Sequence, residues 1–301
     1  MVSQISVVIN TLNESRNIEK VIESLDWADE VVAVDDGSTD ETLEILHGLK
    51  KRLKTLKVFQ HQGEGYVEPA RNFAISKASG DWILILDADE DIPESLIKRL
   101  TEIAEKMKQI DYVRIPRKNI IFNHFMRESM WWPDYNIRFF KKGKVKWSNK
   151  IHRPPEVSGQ GLDLPPDENY AIIHHSYQTI TQYLQRMDRY TTIQAEELRK
   201  EGYKFNWPDL LEKPLGEFLS RFFANKGYQD GLHGLTLGLL QAFSFLVVYL
   251  KLWEVSNFKE EKVEVAELKN QIDKSSGNIN YWINKTRQKG SFFERIFKGK
   301  S

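Results

Sequence analysis

The sequence predicts an α/β protein whose first part is a mostly parallel sheet and whose last part is helical. Two observations predict the sheet. Short β-branched apolar runs alternate with longer segments of helical period as far as residue 118, and each run ends in a cluster of polar residues. A third observation sets the rest apart: beyond residue 121 the alternation breaks, and a charge-free apolar stretch follows at 231–250.

The runs at 5–9, 31–34, 58–60, 82–86 and 112–115 read as strands. Between them, helices fit 15–25, 40–51, 69–79 and 93–108, with Pro69 and Pro93 at first-turn positions where a missing N–H costs nothing. Residues 119–166 read as irregular structure with short strands at 136–140 and 145–147. A long helix is expected at 179–201.

Composition narrows the classes. A chain of 301 residues with 41% hydrophobic content can bury one large core or two modest ones. Lys and Arg together number 43, as do Asp and Glu, so no overall positive charge argues for a nucleic-acid partner. There is no cysteine, which excludes a disulfide framework, thiolate zinc and a thiol nucleophile; any metal must sit on oxygen or imidazole. The N-terminus enters its first apolar run without a leader-like segment, so the expectation is an unprocessed cytoplasmic chain.

Ligands of open α/β sheets bind outside the carboxyl ends of strands. Those ends here are Asn10-Thr11-Leu12-Asn13-Glu14, Asp35-Asp36-Gly37-Ser38-Thr39-Asp40 and Asp87-Ala88-Asp89-Glu90-Asp91. No glycine-rich phosphate loop of the dinucleotide or P-loop type follows the first strand, so a bound phosphate needs another counter-charge. Asp87 and Asp89 supply one: alternate carboxylates leaving a strand can share Mg2+ or Mn2+, which then neutralises a diphosphate. Capping of the helix opened by Pro93 competes for these residues, but a cap uses one carboxylate and the segment has four. At Asp35 and Asp36 an Asx turn competes with contacts to a nucleoside, and Arg71 is either a surface ion-pair partner or a fixed positive charge for the diphosphate.

Order and spacing of Val7-Val8-Ile9-Asn10-Thr11-Leu12-Asn13-Glu14, Val34-Asp35-Asp36-Gly37-Ser38-Thr39-Asp40, Ala70-Arg71-Asn72-Phe73-Ala74 and Leu86-Asp87-Ala88-Asp89-Glu90 resemble family 2 glycosyltransferases of the GT-A fold. The run Pro133-Asp134-Tyr135-Asn136-Ile137-Arg138-Phe139-Phe140 is similar to the subgroup containing lipopolysaccharide-core β-glucosyltransferases. The resemblance implies inverting transfer of a sugar, a hexose from a UDP-sugar, with a divalent ion on the diphosphate and a glycan or glycolipid acceptor. Thr11, Asn13, Glu14, Asp36, Ser38, Arg71 and Asp87 are the expected donor contacts, and Asp87, Asp89 and His152 the expected metal ligands, with His174 and His175 as alternatives to His152. A polyprenyl-phosphate sugar synthase on the same fold and a non-catalytic nucleotide-sugar-binding scaffold remain the rival readings.

Single displacement needs an acceptor-side group to take the hydroxyl proton. Asp134 is the first candidate and Glu156 the alternative. Trp131, Trp132 and Trp147 suit either an acceptor groove or the core.

As a helix, 231–250 would measure about 30 Å, close to the hydrocarbon thickness of a bilayer. His233, Thr236, Gln241 and Ser244 lower its hydrophobicity, so it reads first as a helix lying in or dipping into a membrane, then as a core helix, then as a span. Gly231, Gly234, Gly238 and Ala242 share one face and allow another helix close, within the chain or across a homo-oligomer. The basic end at 285–301 suits anionic lipid. The expected organisation is a catalytic domain at 1–178, its nucleotide half at 1–118 and acceptor half at 119–178, then a helical region at 179–301. Within that region lie the apolar helix at 231–253 and the basic tail. The expected location is the cytoplasmic face of the inner membrane.

Overall fold

The computed structural model describes residues 3–62, 67–147 and 154–298, with only the backbone given for 67–69 and 288–298. Its elements run β1 (Ile5–Thr11), α1 (Ile18–Glu23), β2 (Glu30–Asp35), α2 (Thr42–Arg52), β3 (Leu56–Gln60), α3 (Val67–Lys77), β4 (Trp82–Asp87), β5 (Glu90–Asp91), α4 (Glu94–Lys106), β6 (Tyr112–Ile121), β7 (His124–Phe125), β8 (Asp134–Lys141), β9 (Val145–Lys146), β10 (Glu156–Val157), β11 (Gly161–Asp163), β12 (Ile172–Tyr177), α5 (Ile180–Lys200), α6 (Asp209–Phe218), α7 (Gly231–Val255) and α8 (Val265–Lys298). They fall into two compact units, 1–120 with 133–176, and 121–132 with 177–301.

In the first unit the strand order is β3-β2-β1-β4-β8-β6-β12-β5, with β1 to β4 mutually parallel and β8 antiparallel to both β4 and β6. Every residue of β1 and β2 is buried, because helices cover both faces. Val7, Ile9, Val31, Ala33, Leu84 and Leu86 pack with Ile18 and Ile22 of α1, Leu46 and Leu49 of α2, and Leu96 and Leu100 of α4. On the other face Val8, Val32, Val34, Ile83 and Ile85 pack with Ala74 and Ala78. Truncating a core leucine of this kind costs about 2–5 kcal/mol, so the alternation along β1 holds both layers in register. The chain runs outward from β1 to β3, then returns to place β4 on the other side of β1. That makes the carboxyl ends of β1 and β4 a topological switch point, the place where open α/β sheets bind their ligands.

Several strands exceed or escape the sequence expectation. β6 runs on to Ile121 and β8 begins at Asp134, both drawn out by their antiparallel pairing. β12 has no apolar alternation to announce it: its inward residues include His174 and Ser176, so a polar strand is buried for its side chains' hydrogen bonds.

The second unit takes in 121–132 because Ile121 and Met126 are buried with Tyr183 and Leu237. Thr179 caps α5 by accepting a hydrogen bond from Gln182 N. α7 packs against α5 and α6, with Ala195, Val248, Tyr249 and Leu252 buried beside Leu198 and Leu210. Gly234 and Gly238 are both buried. A Cβ on Gly234 would sit 1.8 Å from Gly227 O, and one on Gly238 would sit 3.4 Å from the Phe218 ring. The small-residue face therefore receives backbone and side chains of its own unit.

Another face of α7 carries Leu232, Leu239, Phe243 and Leu250, spaced to lie together and exposed by 38–74%. Within Gly227–Val255 an 18-residue stretch reaches a mean hydropathy of 1.8, and 33% of that stretch is buried. Length and composition would allow this helix to cross a bilayer. In the basic tail, Lys285 and Arg287 lie within α8, whereas the side chains from 288 onward lie outside the described residues.

Candidate active site

The loops that follow β1 and β2 lock onto each other. Gly37, at φ +88°, turns the chain so that Asp35 Oδ2 accepts from Gly37 N (3.2 Å) and Ser38 N (3.1 Å). Ser38 Oγ accepts from Asn13 N at 2.9 Å, and Asn13 Oδ1 accepts from Thr39 N at 2.8 Å; Asn13 itself is left-handed, at φ +56°. Glu14 N donates to Thr42 Oγ1 (2.8 Å), while its carboxylate accepts from Asn17 Nδ2 (2.8 Å). Asp36 Oδ1 lies 2.8 Å from His61 Nδ1. Of the expected donor contacts, Asn13, Glu14 and Ser38 thus build the loop frame. The Thr11 hydroxyl and Asp35 Oδ1 are buried at the end of that frame without a protein partner.

β4 ends in a network of charges in which Glu90 and Arg138 are buried and Arg71, Asp87, Arg117 and Asp134 are half-buried. Asp87 Oδ1 accepts from Arg71 Nη2 (3.1 Å) and Asp87 Oδ2 from Arg138 Nη2 (2.7 Å). Arg138 Nη2 also reaches Glu90 Oε1 at 2.7 Å, and Glu90 Oε2 accepts from Asp87 N at 2.9 Å. Arg117 Nη1 lies 3.6 Å from Glu90 Oε1, and its Nε donates to Asp134 Oδ2 at 2.8 Å. Asp134 Oδ2 accepts in addition from Asn119 Nδ2 (3.2 Å), and Oδ1 from Asn136 Nδ2 (3.1 Å). Asn119 Oδ1 lies 2.7 Å from His174 Nδ1, whose ring presents Nε2 to Asp89 Oδ2 at 3.5 Å. One chain of contacts so joins the end of β4 to the start of β8.

Burial alone would push these carboxyls toward their neutral forms. At Asp87 it is overcome by Arg138 and Arg71, which hold the group well below the ordinary carboxylate range. At Asp134 burial is outweighed by Arg117, with Asn119 and Asn136 assisting, so its pKa is also lowered. Glu90 is raised, by burial and by the neighbouring Asp87 charge against the pull of Arg138. Arg138 is strengthened as a cation because Asp87 and Glu90 outweigh its desolvation.

Asp87 therefore has both oxygens engaged by guanidinium groups. Asp89 faces His174 instead, while His175 turns to Asp91 at 3.0 Å. His152 lies outside the described residues. Among the described residues no group of three or more His, Asp or Glu forms a ready cation cage. Glu156 is exposed on the β9–β10 ribbon, opposite Lys146. Trp147 is buried against Phe140, with Arg71 6.0 Å from its ring, and Trp131 packs onto the second unit's core.

Sequence reasoning passed over Glu90, Arg117, Asn119 and Arg138 as site residues. Arg138 carried a signal, as a charge inside the apolar run Ile137-Arg138-Phe139-Phe140. Arg117 and Asn119 stand two apart, as same-face residues of a strand do, but without β6 extended to 121 that spacing had no meaning.

Residues 6–157 match the model of glycosyl transferase family 2. An uncharacterised glycosyltransferase of Rickettsia typhi is 30% identical over 264 residues, which span 84% of this chain and 88% of that one. The lipopolysaccharide core biosynthesis glycosyltransferase LpsC of Rhizobium meliloti is 23% identical over 252 residues, 83% of this chain and 92% of its own. Among solved structures, the mannosyltransferase PcManGT of Pyrobaculum calidifontis, in complex with GDP-Man and Mn2+, overlaps 94% of this chain and 84% of its own at 16% identity and a TM-score of 0.47. The chain belongs to glycosyl transferase family 2, and it is a glycosyltransferase with a GT-A catalytic region.

Proposed function

We propose that the protein transfers a hexose from a UDP-sugar, with inversion and with a divalent cation, to a glycan or glycolipid acceptor at a membrane such as lipopolysaccharide core. The observation that carries this reading is the convergence of Arg71, Asp87, Asp89 and His174 where β4 ends at the switch point. The name of the R. meliloti relative supports the acceptor class. The exposed Leu232, Leu239, Phe243 and Leu250 support a membrane surface, on the cytoplasmic side, as partner.

The donor set fits a hard cation. Asp89 and His174 present a carboxylate oxygen and an imidazole nitrogen to each other, and Mg2+ or Mn2+ is commonly held by one or two protein groups plus substrate phosphates. Bound there, the ion would neutralise charge on the departing diphosphate. Asp87 holds Arg71 and Arg138 in place, so that Arg71 offers fixed positive charge for the same diphosphate. Thr11, Asn13, Glu14, Asp36 and Ser38 shape the nucleoside end.

Asp134 accepts the proton of the attacking hydroxyl. Ionised by Arg117, it is a weak base, so it takes the proton late, when bond formation to the anomeric carbon has acidified that hydroxyl. Asp89→Ala tests the reading. Calorimetric titration of UDP should lose its dependence on Mn2+ in this variant, with the thermal melt unchanged. Mn2+-dependent affinity equal to wild type would overturn the cation assignment.

A further inference from the structure

We propose that Asn119 is a positioning residue: it fixes His174 as the tautomer whose Nε2 lone pair faces Asp89, and it ties this ligand pair to the acceptor-side carboxylate Asp134. The inference rests on the cation reading above and names a residue on which that reading depends.

The deduction follows from donor and acceptor inventory. Asn119 is fully buried, so its amide cannot turn to water for partners. A carboxylate only accepts, so the atom of Asn119 lying 3.2 Å from Asp134 Oδ2 must be the NH2 nitrogen. Its oxygen is then the atom 2.7 Å from His174 Nδ1, and that ring nitrogen must carry the proton. In the neutral ring Nε2 is left as an acceptor, and at 3.5 Å it meets Asp89 Oδ2, another acceptor. Two lone pairs aimed at each other repel unless something positive lies between them. A proton on Nε2, giving an ion pair, or a divalent cation shared by the two groups would each satisfy both, and the metal titration and histidine shifts below decide between them. Pairing of β12 with β5, with His174 opposite Glu90, holds the imidazole at this place, so the amide needs only to set its protonation.

Loss of such outer partners typically costs about 10–100-fold in metal affinity. Asn119→Leu removes both bonds, whereas Asn119→Asp keeps an acceptor for His174 Nδ1–H and loses the donor to Asp134. We expect Mn2+ affinity, read by electron paramagnetic resonance of the free ion on the full chain with UDP present, to fall about tenfold or more in Asn119→Leu. In Asn119→Asp the affinity should stay near wild type while turnover falls. His174→Ala should lose the site. Wild-type affinity in Asn119→Leu alongside loss in His174→Ala would overturn the role of Asn119 alone. Wild-type affinity in His174→Ala would overturn the cation reading. Nitrogen chemical shifts of isotopically labelled histidine in the wild-type protein above neutral pH decide the tautomer independently of metal and of any variant's folding. A proton on Nε2 would sink the proposal.

Discussion

Asp134 and Glu156 differ in surroundings more than in chemistry. Asp134 has Arg117, Asn119 and Asn136 arranged around its two oxygens, whereas Glu156 stands exposed on a short ribbon. Asp134→Asn is expected to preserve donor affinity and to lower kcat by about a hundredfold or more, as loss of a general base does. Glu156→Gln should be nearly silent. Steady-state kinetics on both variants check this, and the opposite ranking would move the base to Glu156. The neighbours that make Asp134 interpretable were not legible beforehand, because β6 supplies Arg117 and Asn119 only through its pairing with β8.

At the scale of elements, α7 shows how close packing constrains a helix that its composition alone leaves ambiguous. Gly234 has no room for a side chain against Gly227 O, so Gly234→Ala must shift α7 or the preceding turn. We expect a loss of about 1–3 kcal/mol, as for overpacking of a buried contact. Differential scanning calorimetry should show the loss as a lowered melting temperature, and an unchanged melt would mean the turn yields freely. The exposed face behaves differently. Leu239→Glu with Phe243→Glu should reduce flotation with anionic liposomes while leaving UDP binding unchanged, because these side chains are exposed on the second unit. Undiminished flotation would remove α7 as the membrane contact.

Acid sensitivity is a property of the whole molecule. At Glu30, burial raises the pKa, but hydrogen bonds from Lys57, Ser6 and Ser79 outweigh it and hold the carboxyl at about 2. At Asp91 the hydrogen bond from His175 leads; burial opposes it, Lys20 assists, and the value is again about 2. Both groups have folded values below their ordinary 4.5 and 3.8, so the stability they contribute is complete above those values and is lost as pH falls toward about 2. Lys57 is half-exposed, which limits the Glu30 share to about 1–2 kcal/mol. Glu30→Gln should therefore lower stability at neutral pH and flatten its decline between pH 4.5 and 2 in urea titrations. An equally steep decline would exclude Glu30 as a source.

The parallel strands, the helices between them, the strand-end carboxylates and the family were all determined by the sequence itself. Each depends on local pattern, since apolar period sets the element and an element's end is adjacent in sequence to its residues. The site around those ends was decided only by tertiary structure. Arg71, Asp87, Glu90, Arg117, Asn119, Asp134, Arg138 and His174 come from six different elements or their ends, and their meeting depends on which strands pair. Whether Asp87 faces a cation or a guanidinium depends in turn on those meetings. A buried charge takes its role from the partner within hydrogen-bond reach, and pairing across a sheet is not written in the spacing of either strand.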